Sequence, residues 1–280
     1  MRKRVVVFGA SGFVGATIVK KLAQAAYEVI SVSRKDCDFS DDACRIILGN
    51  IVKDDDIVVC AAAKAPAKNW EMLTENVALI TNIVETLKTK QLSYVLNISS
   101  DAIYADSMDK ISESSTIAPH GAHGIMHCMR ETILEKNLRA PVGHLRPTLI
   151  YGEGDPHNGY GPNSFIRLAL AGKSIDLFGN GEEQRDHIFV GDVAALAVGM
   201  INQKTACGVN AVTGKTISFM KIAELICEAS VGIEIHKKPR SGLMPHNGYR
   251  AFSNDAAQKL CPEMLFTDIA VYIQQMMGRA

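Results

Sequence analysis

Two rhythms of apolar residues alternate along the first half of this chain. "RVVVFGA" (4–10) is a short β-branched run closed by glycine, and "TIVKKLAQAAY" (17–27) then spaces its apolar positions as one face of a helix. "EVISVSR" (28–34) returns to the strand pattern, so the opening predicts a βαβ unit. The alternation repeats: strand "DIVVCAAA" (56–63), helix "NVALITNIVETLKTK" (76–90), strand "SYVLNISS" (93–100), helix "HGIMHCMRETILEKN" (123–137), strand "VGHLRPTLIYG" (142–152). Strands that alternate with helices predict an α/β fold, a doubly wound parallel sheet covered on both faces. From "GEGDPHNGYGPNS" (152–164) the texture changes to a Gly-, Pro- and Asn-rich loop, followed by shorter elements and a final amphipathic helix in "TDIAVYIQQMM" (267–277). The pattern divides the chain into a dinucleotide-type domain, 1–151, and a mainly substrate-binding lobe, 152–280, with some chain returning to the first domain.

Composition narrows the class. The 280 residues are 47% hydrophobic, enough for a large core, and carry a formal net charge of zero. That balance offers nothing to nucleic acid or to an anionic membrane, and no apolar run approaches the ~20 residues of a membrane span. Seven cysteines, Cys37, Cys44, Cys60, Cys128, Cys207, Cys227 and Cys261, are scattered without a C-x-x-C pair. A reducing cytoplasm suits them better than a disulfide framework or a zinc site.

Chemistry enters with Gly9-Ala10-Ser11-Gly12-Phe13-Val14-Gly15, which follows the first strand and opens the first helix. Glycine serves there where the chain turns tightly, where backbone approaches a pyrophosphate and where helix packs on strand. The end of the second strand separates the cofactors: a carboxylate holds the free ribose of NAD, a cation accommodates the 2′-phosphate of NADP. Ser33-Arg34-Lys35 precede the first acid, Asp36, which favours NADP, with NAD as the alternative.

The spacing of these glycines resembles the extended short-chain dehydrogenase/reductases, the NAD(P)-dependent nucleotide-sugar epimerases, dehydratases and 4-keto reductases. The resemblance extends over nearly the whole chain. Asp38-Phe39 resembles the pair that holds the adenine, Ala61, Ala62 and Ala63 the alanines packed against the cofactor, and Asn76 the family's helix asparagine. "NISSDAIYAD" (97–106) is similar to the strand ending in the catalytic Ser/Thr, here Ser100, and "LRPTLIYG" (145–152), with Pro147, resembles the segment beside the nicotinamide. "GNGEEQRDHIFVGDVA" (179–194) is similar to the segment whose arginine, here Arg185, contacts the substrate diphosphate; Asn163 and Arg250 are further nucleotide contacts by the same resemblance, with Arg240 competing for the place of Arg250. A nucleoside-diphosphate sugar as substrate and a homodimer built through the helices around 76–90 and 123–138 are what this likeness implies.

One stretch departs. In "PHGAHGIMHCMRE" (119–131) His123 stands at the family's tyrosine and His127 at its lysine. The i, i+4 spacing keeps both on one helical face. Imidazole is a competent acid–base near neutrality, so His123 can exchange a proton with a sugar oxygen beside Ser100, while His127 meets the ribose without lysine's permanent charge. Two imidazolium ions so close repel each other. Asp101 adds a second proton source or bonds backbone at the strand end; in the 4,6-dehydratases of the family it resembles, a Thr-Asp-Glu run supplies acid and base, and Ser100-Asp101-Ala102 here leaves the base position empty. Other readings of the histidines are a metal site with His120 and Glu131, which would block hydride transfer, and a non-catalytic dinucleotide sensor with a degenerate site. Retention of Ser100 and Arg185 favours the enzyme, with 4-keto reduction or epimerisation ahead of dehydration.

Overall fold

The computed structural model describes residues 2–278. The chain runs through β1 (Arg4–Phe8), α1 (Phe13–Gln24), β2 (Glu28–Val32), α2 (Cys44–Ile51), β3 (Ile57–Cys60), α3 (Trp70–Leu87) and β4 (Tyr94–Ile98). It continues through α4 (Ala122–Asn137), β5 (Val142–Pro147), β6 (Leu149–Tyr151), α5 (Pro162–Leu170), β7 (Ile175–Phe178), β8 (Gln184–Phe189) and α6 (Val190–Gln203). The last elements are β9 (Gly208–Ala211), β10 (Thr216–Ser218), α7 (Phe219–Glu228), β11 (Ile235–Lys238), β12 (Tyr249–Arg250), α8 (Asp255–Leu260) and α9 (Ile269–Met277).

Six parallel strands form the central sheet in the order β2-β1-β3-β4-β5-β9. Side chains alternate across it as a period of two requires. Val5, Val7, Ile57, Val59 and Leu96 meet Ile18 and Leu22 of α1 and the apolar face of α6. Val6, Phe8, Val58, Cys60 and Val95 meet α2, α3 and α4 through Leu48, Ile80, Ile83 and Leu134. Burying each such Val, Leu or Ile contributes about 1.5–3 kcal/mol, which is why the strands read as nearly unbroken apolar runs. From β1 the chain goes outward to β2 and then crosses to β3 on the other side. The carboxyl ends of β1 and β3 therefore flank a switch point, where open α/β sheets bind ligands.

The expected strand 142–152 is two strands. β5 lies in the main sheet, whereas β6 pairs with β8 in a second sheet. The break falls at Thr148, whose hydroxyl donates to the Asp186 carbonyl (3.2 Å). The second sheet, β10-β8-β12 with β6 alongside, and the β7–β11 pair carry α5, α7 and α9 over a separate core of Tyr151, Phe165, Phe219, Ile222 and Ile273. Between these pieces α6 and β9 return to the large sheet. Among the described residues no helix is long and apolar enough to cross a membrane.

Candidate active site

The turn from β1 into α1 is shaped by backbone. Gly9 has φ +82°, and a Cβ there would sit 2.6 Å from the Ala62 nitrogen at the end of β3. A Cβ on Gly15 would collide with the Gly9 carbonyl. Gly12 caps α1 in extended conformation without a side-chain cap, and the first turn holds no acid. The helix thus opens with amides and the positive end of its dipole facing outward at the switch point, a setting that fits a dinucleotide pyrophosphate. Ser11 is exposed and Phe13 and Val14 are half-buried beside this opening. At the end of β2, Asp36 turns back to accept from the Ser33 amide (2.7 Å) and hydroxyl (2.9 Å), which hold its carboxyl below the usual range. Arg34 and Lys35 are exposed.

The second part of the site lies where α4 crosses the end of β4. Gly124 permits the approach, since a Cβ there would strike the Ala102 carbonyl. Ser100 caps the 3₁₀ turn Asp101–Ile103, its oxygen accepting from the Ala102 amide (3.2 Å). His123 faces this turn. Burial pushes its pKa below the ordinary imidazole value, Asp101 pulls it back up and His157 pushes it down. Its Nδ1 is buried without a partner among the described residues. His127 stands edge-on to it, ring centres 4.7 Å apart at 86°, and is only 5% exposed. Burial first, then His123 and Arg130, hold its pKa well below ordinary. His127 is therefore a neutral ring, and the charge that lysine would carry is missing from its position.

Sequence reasoning missed Arg130, three residues further along the same helix face and wholly buried. It donates to Asn97 Oδ1 (3.2 Å) and, more weakly, to the Cys60 carbonyl (3.5 Å), while its Nε and Nη1 find no partner among the described residues. The available signal was a charge one turn beyond His127 on an otherwise inward face. A second buried pair was also missed. Arg146 forks onto Glu131 (2.9 and 2.7 Å) and donates to the Tyr104 hydroxyl (2.8 Å). Burial raises Glu131, but the arginine outweighs it and holds the carboxyl below its usual range. Both carboxylate oxygens of Glu131 are thereby engaged by Arg146, and Tyr104, 1% exposed and held by Arg146 and Asn210, is no substitute acid.

A third part is a cavity of about 380 Å³ in the C-terminal lobe, lined by Tyr160, Phe178 and Phe219 with Arg185, Arg240 and Leu243. Glu183 links the two arginines, accepting from Arg185 Nε at 2.7 Å and from Arg240 Nη2 at 3.4 Å. Another cavity, about 310 Å³, lies among Lys88–Leu92 and Arg139–Pro141, just before β4 and β5 and so at the sheet's amino edge, away from these residues.

A family model for the NAD dependent epimerase/dehydratase family matches residues 5–212, from the first strand through β9. This chain belongs to that family. It is 27% identical over 266 residues to a Methanocaldococcus jannaschii protein provisionally named UDP-glucose 4-epimerase, covering 85% of this chain and 87% of that one. Its fold matches UDP-glucuronic acid 4-epimerase from Bacillus cereus, solved with UDP-glucuronic acid and NAD, with a TM-score of 0.82 at 17% identity over 99% of both chains. It also matches a GDP-L-fucose synthetase from Naegleria fowleri bound to NADP, with a TM-score of 0.80 at 15% identity over 99% of this chain and 92% of the other. Family membership makes this chain an NAD(P)-using enzyme of the epimerase/dehydratase type.

Within this epimerase/dehydratase chain several expected contacts have other partners. Phe39 is buried against Phe8, ring centres 5.5 Å apart, so its side chain belongs to the core and not to an adenine pocket. Asp38 is exposed and caps its own turn at Ser40. The Asn76 amide is spent on Lys64 (both backbone groups, 3.0 Å) and Met72, which fixes the segment after Ala61–Ala63 instead of reaching a ligand. Asn163 accepts from the Gly152 amide and donates to Asp155, closing the 152–163 loop. Arg250 is 2% exposed and points at Asp101, not into the cavity. Pro147 ends β5 beside Ala211 of β9.

Proposed function

We propose that this enzyme interconverts or reduces a nucleoside-diphosphate sugar with NADP, by 4-keto reduction or epimerisation, and that His123 is its acid–base. The observation that carries this reading is the Nδ1 of His123, without a partner among the described residues, on a helix that Gly124 brings against Ala102 of the turn capped by Ser100. When bound, the nicotinamide supplies the hydride acceptor and donor. Gly9, Gly12 and Gly15 cradle the pyrophosphate, and exposed Arg34 beside Ser33 favours the 2′-phosphate of NADP over NAD. Ser100 orients the sugar oxygen; where a hydroxyl is oxidised, neutral His123 takes its proton, and where the 4-keto group is reduced, the protonated His123 returns a proton to that oxygen. His127 packs edge-on against His123 and keeps water from it. The aromatic cavity takes the nucleotide, with Arg185 and Arg240 on the diphosphate. Exposed Trp70 (74%), Val77 and Ile125 on α3 and α4 support a homodimer through those helices. Seven free cysteines support a cytoplasmic setting.

The test incubates purified protein with NAD(P)(H) and a pool of nucleoside-diphosphate sugars and their 4-keto forms, following products by mass and NMR. Turnover that falls about 10²-fold or more in His123→Phe supports the reading. Tight dinucleotide binding without turnover in either protein would favour a sensor.

A further inference from the structure

Arg250 sits on β12, whose two residues pair in parallel with β8 so that Tyr249 lies opposite Gln184 and Arg250 opposite Arg185. These register-paired arginines serve different places: Arg185 lines the cavity, whereas Arg250 reaches into the large domain. Its Nε donates to Asp101 Oδ2 (2.9 Å) and its Nη2 to the Asp101 carbonyl (2.7 Å), which grips both the side chain and the main chain of one residue. Its Nη1 donates to Asp106 Oδ1 (2.9 Å), and His246 bonds the same carboxylate. Two edges of the fork are thus spent on the turn that Ser100 caps and that faces His123, and the third on Asp106 just beyond it. The segment leading to it, Arg240 to Pro245, supplies four residues of the cavity wall: Arg240, Ser241, Leu243 and Pro245.

We infer that Arg250 is a positioning residue that holds Asp101 beside His123 from the C-terminal lobe, tying the acid–base turn to the wall of the substrate cavity. The role assigned to Asp101 and His123 rests on the proposed function; the grip on the turn does not. A guanidinium fork suits this task because its donors are rigid and planar, and two of its edges fix a carboxylate and a carbonyl together. By engaging the Asp101 carboxylate, Arg250 also moderates how strongly that charge favours the imidazolium form of His123. The groups facing His123 are Asp101 from the turn, His157 from the loop before α5 and His127 from its own helix. Asp186 of β8 lies within electrostatic reach of Asp101 from the other side.

The experiment follows the His123 ring by NMR titration, assigned with His123→Gln, in wild type, Arg250→Met, Arg250→Lys, Asp101→Asn and the Arg250→Met/Asp101→Asn double variant. UDP affinity is measured on the same proteins by calorimetry. Loss of the arginine leaves an uncompensated carboxylate, so Arg250→Met raises the His123 midpoint by about half a pH unit or more. In the Asp101→Asn background the rise shrinks to less than half, and Arg250→Lys gives a smaller rise than Met. Asp101→Asn alone lowers the midpoint, and UDP affinity changes by less than about threefold throughout. An unchanged midpoint in Arg250→Met with UDP binding weakened tenfold would make Arg250 a diphosphate contact and overturn the inference. So would an equal rise with and without Asp101, which is only the loss of a distant charge. If Arg250→Met does not fold, Arg250→Lys and Asp101→Asn decide it: a midpoint unmoved in both overturns it. None of these readouts needs turnover, so an inactive wild type would count against the proposed function and leave this inference to the titration.

Discussion

The glycine cradle after β1 and the histidine face of α4 lie at the same edge of one sheet, and they are built in opposite ways. In the cradle nearly everything is backbone: Gly9 with its positive φ, Gly15 against the Gly9 carbonyl, and a helix start with no side-chain cap. On α4 the backbone contributes one close approach, at Gly124, and the rest is side chain: His123, His127 and Arg130 on one face, with buried nitrogens that have no partner among the described residues. Backbone cradles are specified by residue spacing alone, because only glycine satisfies them. A side-chain face is specified by what surrounds it. The i, i+4 positions at which the family resemblance implies a phenol and an ammonium carry two imidazoles here, and burial decides what those imidazoles are.

The largest effect on function is expected where backbone meets backbone. Gly15→Ala puts a methyl into the Gly9 carbonyl, and Gly124→Ala puts one into the Ala102 carbonyl. Neither obstacle is a flexible side chain, so each should cost about 1–3 kcal/mol of stability, measured by urea unfolding. They should differ in function. Gly15→Ala should weaken dinucleotide binding by tenfold or more, whereas Gly124→Ala, which lifts α4 from the Ser100 turn, should leave dinucleotide affinity within about threefold and remove turnover. Equal losses of affinity would mean that the two regions are not separable.

Next comes the charge that the helix face lacks. His127→Lys supplies the residue type that the family resemblance implies, but it sets a permanent cation into a site that is 5% exposed and already adjoins Arg130. An unpaired buried charge costs about 3–5 kcal/mol, so this reversion should destabilise where His127→Asn does so less. Acid should do the same to wild type. His127 lies well below 6.5 in the fold, and burial drives His187 down to about 3. Between those values and 6.5 the unfolded chain binds more protons, so stability rises with pH there and is lost on acidification, by about 1.4 kcal/mol per unit for each ring. Asp186, raised to about 6 chiefly by burial, works in the opposite sense, favouring the folded chain as pH falls below 6. Among the described residues burial lowers five histidines, His123, His127, His144, His187 and His246, against three carboxyls that it raises, Asp56, Asp186 and Asp192, and a His187→Asn variant should flatten the acid limb. A limb unchanged in that variant would show that His187 is not buried neutral.

The contrast also explains what could be read without coordinates. The parallel sheet was legible because its strands bury both faces and announce themselves as apolar runs. β9 was not: its four residues, "GVNA", carry no such signal and owe their strand to pairing with β5. The break at Thr148 was hidden because β5 and β6 are both apolar although they join different sheets. Among site residues, the glycines could be located from spacing. Asn76, Asn163 and Arg250 could not be interpreted from it, since an amide or guanidinium at a given position says nothing about whether a neighbour has already taken its hydrogen bonds. Arg130 escaped notice because an arginine on a helix is ordinarily solvated, and only packing shows that this one is enclosed.

The smallest effect belongs to the rim of the cradle. Arg34 and Lys35 are exposed, while the nearest carboxylate, Asp36, is folded back onto Ser33 and Asp38 onto Ser40. With both acids occupied, little there competes for a ribose diol and two cations are presented to a phosphate. An exposed charge-assisted contact is worth about 1–2 kcal/mol, so Arg34→Ser should lower NADP affinity by roughly tenfold and leave NAD within about twofold, measured by titration of intrinsic or cofactor fluorescence. The effect should shrink at high salt, since the contact lies at the surface. A matched loss of both dinucleotides would instead mean that Arg34 shapes the turn after β2. Selectivity would then have to come from the same backbone that makes the cradle, and the rim would carry none of it.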